Sequence, residues 1–289
     1  MKKLSILFVC LVVSLAAFSQ SKMACCAKAS SATRQFAMLA SSKAFRMAHA
    51  NPKPYHFQSD IGKSITYKTP DGSEAHAYEL KAQKPTRNYL FVIHEWYGLN
   101  DFIKHESEKL YNDLGNVNVI ALDLYDGKIA DNRQDAGKYM QAVKEDRARA
   151  IIKGAIAYAG TKARIATLGW CFGGGWSLQS ALLAGNQTVA CVMYYGMPEQ
   201  DADKLKALHS DVLGNFANKD QFINTKIVAN FKENMQKAGK TLYLHQFDAD
   251  HGFANPSNPI YNSEATKEAY GYTLAYLKPR LKYKRSHSL

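Results

Sequence analysis

Long hydrophobic runs are scarce in this chain of 289 residues. Only residues 4–18 form one, and it falls short of the ~20 apolar residues that a membrane-crossing helix needs. The remainder reads as a soluble protein with no stable membrane insertion. Cysteine is sparse as well. Of five, Cys10 lies in the apolar run, Cys25 and Cys26 are adjacent in a Ser/Ala-rich stretch, and Cys171 and Cys191 sit in apolar segments. That excludes a disulfide framework, and no pair has zinc-site spacing. Eighteen glycines and eight prolines without a repeat exclude a collagen, and 46% hydrophobic content excludes a disordered polymer. Acidic residues are outnumbered, 25 against 37 basic, for a net charge of +12. The excess is dispersed apart from Lys278, Arg280, Lys282, Lys284 and Arg285. No nucleic-acid motif accompanies it, so this cluster reads as a solvated tail and nucleic acid is not expected as a partner.

What is present begins with a leader. Lys2 and Lys3 precede the apolar run, and Ala16, Ala17, Ser19 and Gln20 close it with small and polar residues. This is the layout of a secretory signal peptide over residues 1–20, which predicts export to the periplasm or the extracellular space. A membrane anchor would need a longer run. Lipid attachment at Cys25 would need a better box than Ser21-Lys22-Met23-Ala24. Residues 21–54 read as an N-terminal extension, helical in part over 31–50 and closed by Pro52 and Pro54, either a linker or an arm packed on the surface.

Residues 55–289 read as one domain. Residues 65–68 and 76–80 flank Asp71-Gly72, a hairpin signal. Continuous apolar runs at 88–94, 118–124, 165–169 and 190–195 mark strands buried on both faces, and 212–217 and 242–247 complete the set. Helical patterns lie between them at 102–114, 131–158, 174–184, 225–238 and 264–277. Strands alternating with helices predict an α/β fold: a mostly parallel central sheet, helices on both faces, and an antiparallel N-terminal edge hairpin.

The segment Gly169-Trp170-Cys171-Phe172-Gly173 stands between a buried strand and a helix. This is the spacing of the nucleophile elbow of α/β-hydrolases, with cysteine in the place of serine. Glycines two positions to either side leave room for a tight turn that lifts the sulfur above the sheet edge. The following helix aims its N-terminus at the sulfur, which favours a thiolate, and the Phe172 N–H points at a developing oxyanion. Cys191 has no such elbow and reads as core.

In this fold the acid and the histidine follow the nucleophile in that order. Asp220 follows the strand at 212–217 and His251 the strand at 242–247. His251 would take the sulfur's proton, and Asp220 would orient the imidazole. Asp248 and Asp250 compete for the acid role, but Asp220 fits the chain order better. The loop after 88–94 would supply the second oxyanion donor, the Trp96 N–H. Its Glu95 is an acid in an apolar site or a helix-start residue, and His94 reads as structural.

Together these segments resemble the dienelactone hydrolase family: HEWYGLN at 94–100, DLYDGK at 123–128, the GWCFGG elbow, Asp220, and HGFANP at 251–256. The resemblance implies a compact α/β-hydrolase fold with little or no cap and a triad of Cys171, Asp220 and His251. It implies that Glu95 hydrogen-bonds the resting thiol and helps activate it. The chemistry implied is hydrolysis of a lactone or ester through a thioester, with no cofactor and no metal. There are departures. Members that open dienelactones hold the substrate carboxylate with two arginines, and here Lys128 and Asn255 stand near those positions. Lysine lacks the planar fork of a guanidinium. Lys128, Asn255 and Tyr125 are the candidate substrate-binding residues. The family is typically cytoplasmic, unlike a chain with a leader. The leading expectation is therefore a hydrolase of small esters or lactones. A thiol-dependent acyltransferase and a catalytically silent exported binding protein are the alternatives.

Overall fold

The computed structural model describes residues 31–282. The leader, Cys10, Cys25, Cys26, Lys284 and Arg285 lie outside them. In chain order the elements are α1 (Ala32–Leu39), α2 (Lys43–Ala48), β1 (Gly62–Lys68), β2 (Glu74–Leu80), β3 (Asn88–Ile93), α3 (Asp101–Leu114), β4 (Asn118–Leu122), α4 (Arg133–Ala142) and α5 (Glu145–Ala159). There follow β5 (Arg164–Trp170), α6 (Phe172–Ala184), β6 (Thr188–Tyr194), α7 (Ala202–Leu205), β7 (Val212–Ala217), α8 (Thr225–Lys237), β8 (Leu242–Phe247) and α9 (Ser263–Leu281).

One eight-stranded sheet runs in the order β1-β2-β4-β3-β5-β6-β7-β8. β2 pairs antiparallel with both β1 and β4, and every other pairing is parallel. This is the mostly parallel α/β-hydrolase sheet with its antiparallel edge hairpin. The central strands are apolar throughout because helices cover both faces: Leu90, Phe91, Val92 and Ile93 of β3 are fully buried. Asparagines start several helices. Asn100, Asn132, Asn224 and Asn262 each accept a backbone N–H in the first turn of α3, α4, α8 and α9. No described helix is long and apolar enough to cross a membrane.

The single helix expected over 131–158 is two. Val143 takes an extended conformation (φ −62°, ψ 117°), and α5 starts afresh after Lys144. Past the break Arg147 pairs with Asp71 on the turn of the edge hairpin at 3.2 Å and with Asp126 in the loop after β4 at 2.7 Å. At the other end α9 extends to Leu281. Arg280, one of the expected tail cations, is instead fastened to Asp211 at 2.5 Å and lies 3.8 Å over the Tyr276 ring.

The arm before β1 packs into the same core. Phe36 and Phe45 are buried and meet edge-to-face at 5.9 Å. Ser31 and Ser42 cap α1 and α2. Tyr97 donates to the Ala50 carbonyl, and the Arg133 N–H donates to Asn51 at 3.0 Å, so the arm is tied down past its second helix.

Candidate active site

β5 ends and α6 begins at Cys171, which sits at φ +53°, a conformation that non-glycine residues adopt at a cost. The elbow has the glycines it needs. A Cβ on Gly169 would lie 2.1 Å from the Gly173 carbonyl oxygen, and one on Gly173 would lie 2.2 Å from that of Ile93. The turn therefore closes tightly against both its own helix and the end of β3.

Loops after β5, β7 and β8 bring three side chains into one hydrogen-bonded chain. The Cys171 sulfur is 3.3 Å from His251 Nε2, and His251 Nδ1 is 2.6 Å from Asp220 Oδ2. The other oxygen of Asp220 accepts the N–H groups of Phe222 and Ile223, both at 2.8 Å. Asp248 pairs with Lys219 at the surface and Asp250 is exposed, so the histidine takes Asp220 alone of the three. All three members are buried, with Cys171 only 2% exposed.

Burial sets the electrostatics. It opposes charge on His251, but the Asp220 carboxylate and the neighbouring sulfur outweigh it and raise the imidazole well above its ordinary value. Asp220 is pushed up by burial and pulled further down by His251 and the two backbone N–H groups, for a net lowering. Burial pushes the Cys171 thiol up, against the pull of His251 and the Phe172 N–H. The sulfur is therefore not the exposed, acidified thiol that a helix N-terminus alone predicts. It is a buried thiol beside a strengthened base.

The Phe172 N–H faces the sulfur. Across from the elbow, the loop after β3 is held by His94. Its Nδ1 donates to the Glu95 carbonyl at 2.6 Å, and its Nε2 accepts the Leu124 N–H at 3.1 Å. His94 is thus structural, and its partners are now known: it locks the Trp96 loop to the loop after β4. The Trp96 N–H makes no backbone hydrogen bond among the described residues.

The domain itself is matched by the family profile described as the Dienelactone hydrolase family, over residues 75–281. The chain belongs to the dienelactone hydrolase family. Membership places it among lactone and ester hydrolases. It is similar to "Protein usf" of Aquifex pyrophilus, 30% identical over 208 residues that cover 66% of this chain and 88% of that protein. It is also similar to carboxymethylenebutenolidase 1 of Cupriavidus pinatubonensis, 24% identical and covering 75% of this chain and 95% of that one. Among solved structures, a dienelactone hydrolase-like promiscuous phosphotriesterase from metagenomic libraries superposes with a TM-score of 0.65 at 20% identity, over 76% of this chain and 99% of that chain. That likeness carries the fold.

Against the family pattern, three placements differ from expectation. Glu95 does not hydrogen-bond the thiol, which is turned to His251. Its carboxylate accepts from Tyr195 at 3.0 Å and from the Asn255 amide. Asn255 is consequently occupied: its Nδ2 holds Glu95 and its Oδ1 accepts from Ser257, so it offers a substrate little. Lys128 is exposed, with its ammonium 5.6 Å over the Tyr139 ring at the surface. Tyr125 is closer to the chemistry. Its buried ring lies 5.3 Å from that of Phe172, and its hydroxyl has no hydrogen-bond partner among the described residues.

Three contributors escaped the sequence. Tyr195, at φ +36°, directs its hydroxyl at Glu95. The arm residues Phe45 and His49 lie on His251, with ring centroids 5.8 and 5.4 Å from its own. His49 also packs at 4.4 Å on Trp96, and burial, followed by the charge of His251, lowers its pKa to about 3. It is a neutral imidazole. The arm's Ala/Ser/Lys-rich composition carried no sign of this.

Glu95 has a measurable consequence. Burial raises its pKa from 4.5 to about 7, against the hydrogen bonds from Tyr195 and Asn255. The folded state thus binds this proton more tightly than the unfolded chain does. The contribution to stability is fully present below pH 4.5 and is lost as pH rises through 7. The whole window is worth roughly 3 kcal/mol. Urea unfolding at a series of pH values should show this fall, and Glu95→Gln should flatten it. An equal slope in the variant assigns the effect elsewhere.

Proposed function

We propose that this protein hydrolyses small, uncharged esters or lactones through a thioester on Cys171. The observation that carries the reading is the buried hydrogen-bonded chain from Cys171 through His251 to Asp220, set on a strained elbow at the N-terminus of α6. His251 Nε2 takes the thiol proton as the sulfur attacks the acyl carbonyl. The carbonyl oxygen gathers negative charge between the N–H groups of Phe172 and Trp96. Collapse expels the alkoxide, which receives the proton back from His251. A water molecule then gives its proton to the same nitrogen, attacks the thioester, and releases the acid and the thiol. Asp220 stabilises the imidazolium in both halves and fixes its tautomer.

The uncharged substrate class follows from Asn255 and Lys128. One is spent on Glu95 and the other lies over Tyr139, so neither replaces the arginines that hold a carboxylate in dienelactone-opening relatives. The test is a panel of neutral aryl and alkyl esters, simple lactones and a dienelactone, with product analysis in the presence of added alcohols. The account expects free acid as the main product and neutral esters ahead of the dienelactone. Preferential transfer to the alcohol would make the protein an acyltransferase. Failure of the whole panel, with the protein folded, would favour a silent binding scaffold. The leader adds a proposal of location: we place the mature chain outside the cytoplasm, to be checked by N-terminal sequencing of the protein recovered from cell fractions.

A further inference from the structure

We propose that His49, Cys171 and His251 form a binding site for a thiophilic divalent cation of zinc's chemistry, which fastens the N-terminal arm over the nucleophile. One ligand atom from each of the three lies within 4.8 Å of the other two, and all three residues are buried. Their places in the chain, just after α2, on the elbow and after β8, share no short spacing. The sequence therefore gives no zinc motif.

The two histidines are set for this role. His49 Nδ1 lies 2.7 Å from the Phe45 carbonyl oxygen and must be the donor there, which leaves the lone pair on Nε2. That Nε2 is buried and has no hydrogen-bond partner among the described residues. A buried polar atom left without a partner is costly, and its persistence asks for an explanation. His251 is arranged in the same way: Nδ1 is engaged by Asp220 at 2.6 Å, and Nε2 faces the sulfur at 3.3 Å. Metal-binding histidines characteristically donate the second ring N–H to a carboxylate or a backbone carbonyl, and here one does each. Two imidazoles and a thiolate are a borderline-soft donor set. They would fill three positions of a tetrahedral zinc shell and leave a fourth for water or an anion.

Binding involves no redox step. The sulfur–hydrogen bond breaks, a sulfur–metal bond forms, and the proton leaves to solvent. The sulfur lone pair that would attack a carbonyl is then held by the cation, so metal binding and acylation exclude each other. Because His49 belongs to the arm, the cation also pins α2 to the catalytic loops. The site depends on three side chains and not on the hydrolase reading, and its test reads binding rather than turnover.

Zinc alone is the probe, with the full chain carrying Cys10→Ser, Cys25→Ser and Cys26→Ser so that leader-side thiols contribute nothing. Chelator competition should give one zinc per chain. X-ray absorption should show one sulfur at about 2.3 Å and nitrogens at about 2.0–2.1 Å. Cys171→Ala, and separately His49→Phe, which keeps a ring against Trp96, should each weaken binding by about 100-fold or more. A folded wild-type-site protein that takes up no stoichiometric zinc overturns the proposal. So does a shell without sulfur, or undiminished binding in either variant. If His49→Phe does not fold, the sulfur and nitrogen count of the parent chain together with Cys171→Ala decides the matter.

Discussion

Replacing Cys171 with alanine should lower kcat/KM for any ester the protein turns over by about 10⁴-fold or more, with the fold left intact. Both halves of that expectation have a physical basis. Among the described residues the sulfur is the nucleophile joined to His251 Nε2, and without it the imidazole is left with water to activate. The backbone is indifferent to the exchange, because the strain at φ +53° comes from possessing a Cβ, which alanine also has. Thermal stability should therefore change little. Cys171→Ser should recover only a small part of the loss, since a hydroxyl is a far weaker acid than a thiol and must be attacked by the same base. Cys191 provides the control. It is buried in β6 beside Ser177, its thiol pushed up to about 11 by burial, and it makes no hydrogen bond to His251 or Asp220 among the described residues. Cys191→Ala should keep the rate. Rates near the parent in Cys171→Ala would remove the mechanism.

Gly173→Ala should be among the most disruptive single-methyl changes in the domain. The added Cβ would meet the backbone carbonyl oxygens of Ile93 at 2.2 Å and of His94 at 2.5 Å. Neither is the end of a flexible side chain, so relief requires α6 to part from the end of β3. That movement also separates the Phe172 N–H from the Trp96 loop and draws Glu95 off its partners. Overpacking of this kind costs about 3 kcal/mol, and in a domain of this size the melting temperature should fall by roughly 10 °C. The folded fraction should also be slow, because the two oxyanion donors no longer converge. Thermal melts and rates corrected for folded protein check both. A variant with parental melting temperature and rate would show that the elbow tolerates a wider turn than its geometry implies.

Much of this arrangement was legible because it is local. The strands expected at 212–217 and 242–247 begin and end at those residues. The elbow glycines sit at fixed offsets from Cys171, and Asp220 and His251 follow the strands that position them. What was not legible depends on residues that meet only after folding. Tyr195 and Asn255 reach Glu95 from 100 and 160 positions away, and no periodicity links them. The expectation that Glu95 holds the thiol failed for that reason: its carboxylate is already satisfied by these two donors. Asn255 looked free for a substrate when its donor had in fact been taken. The helix expected across 131–158 is broken at Val143, and past the break Arg147 has charged partners on the edge hairpin and in the loop after β4, tertiary contacts that helical patterning does not carry. Phe45 and His49, in a stretch of unremarkable composition, belong to the site only because α2 folds back onto His251.

The most direct measurement is the mass of the protein caught during turnover of a slow ester by rapid acid quench, followed by mapping of the modified peptide. The account predicts one acyl group per chain, attached as a thioester to Cys171, and a burst of the alcohol product that matches the enzyme concentration when deacylation is the slow step. Steady turnover with no acyl adduct, or with the adduct confined to another residue, would contradict it.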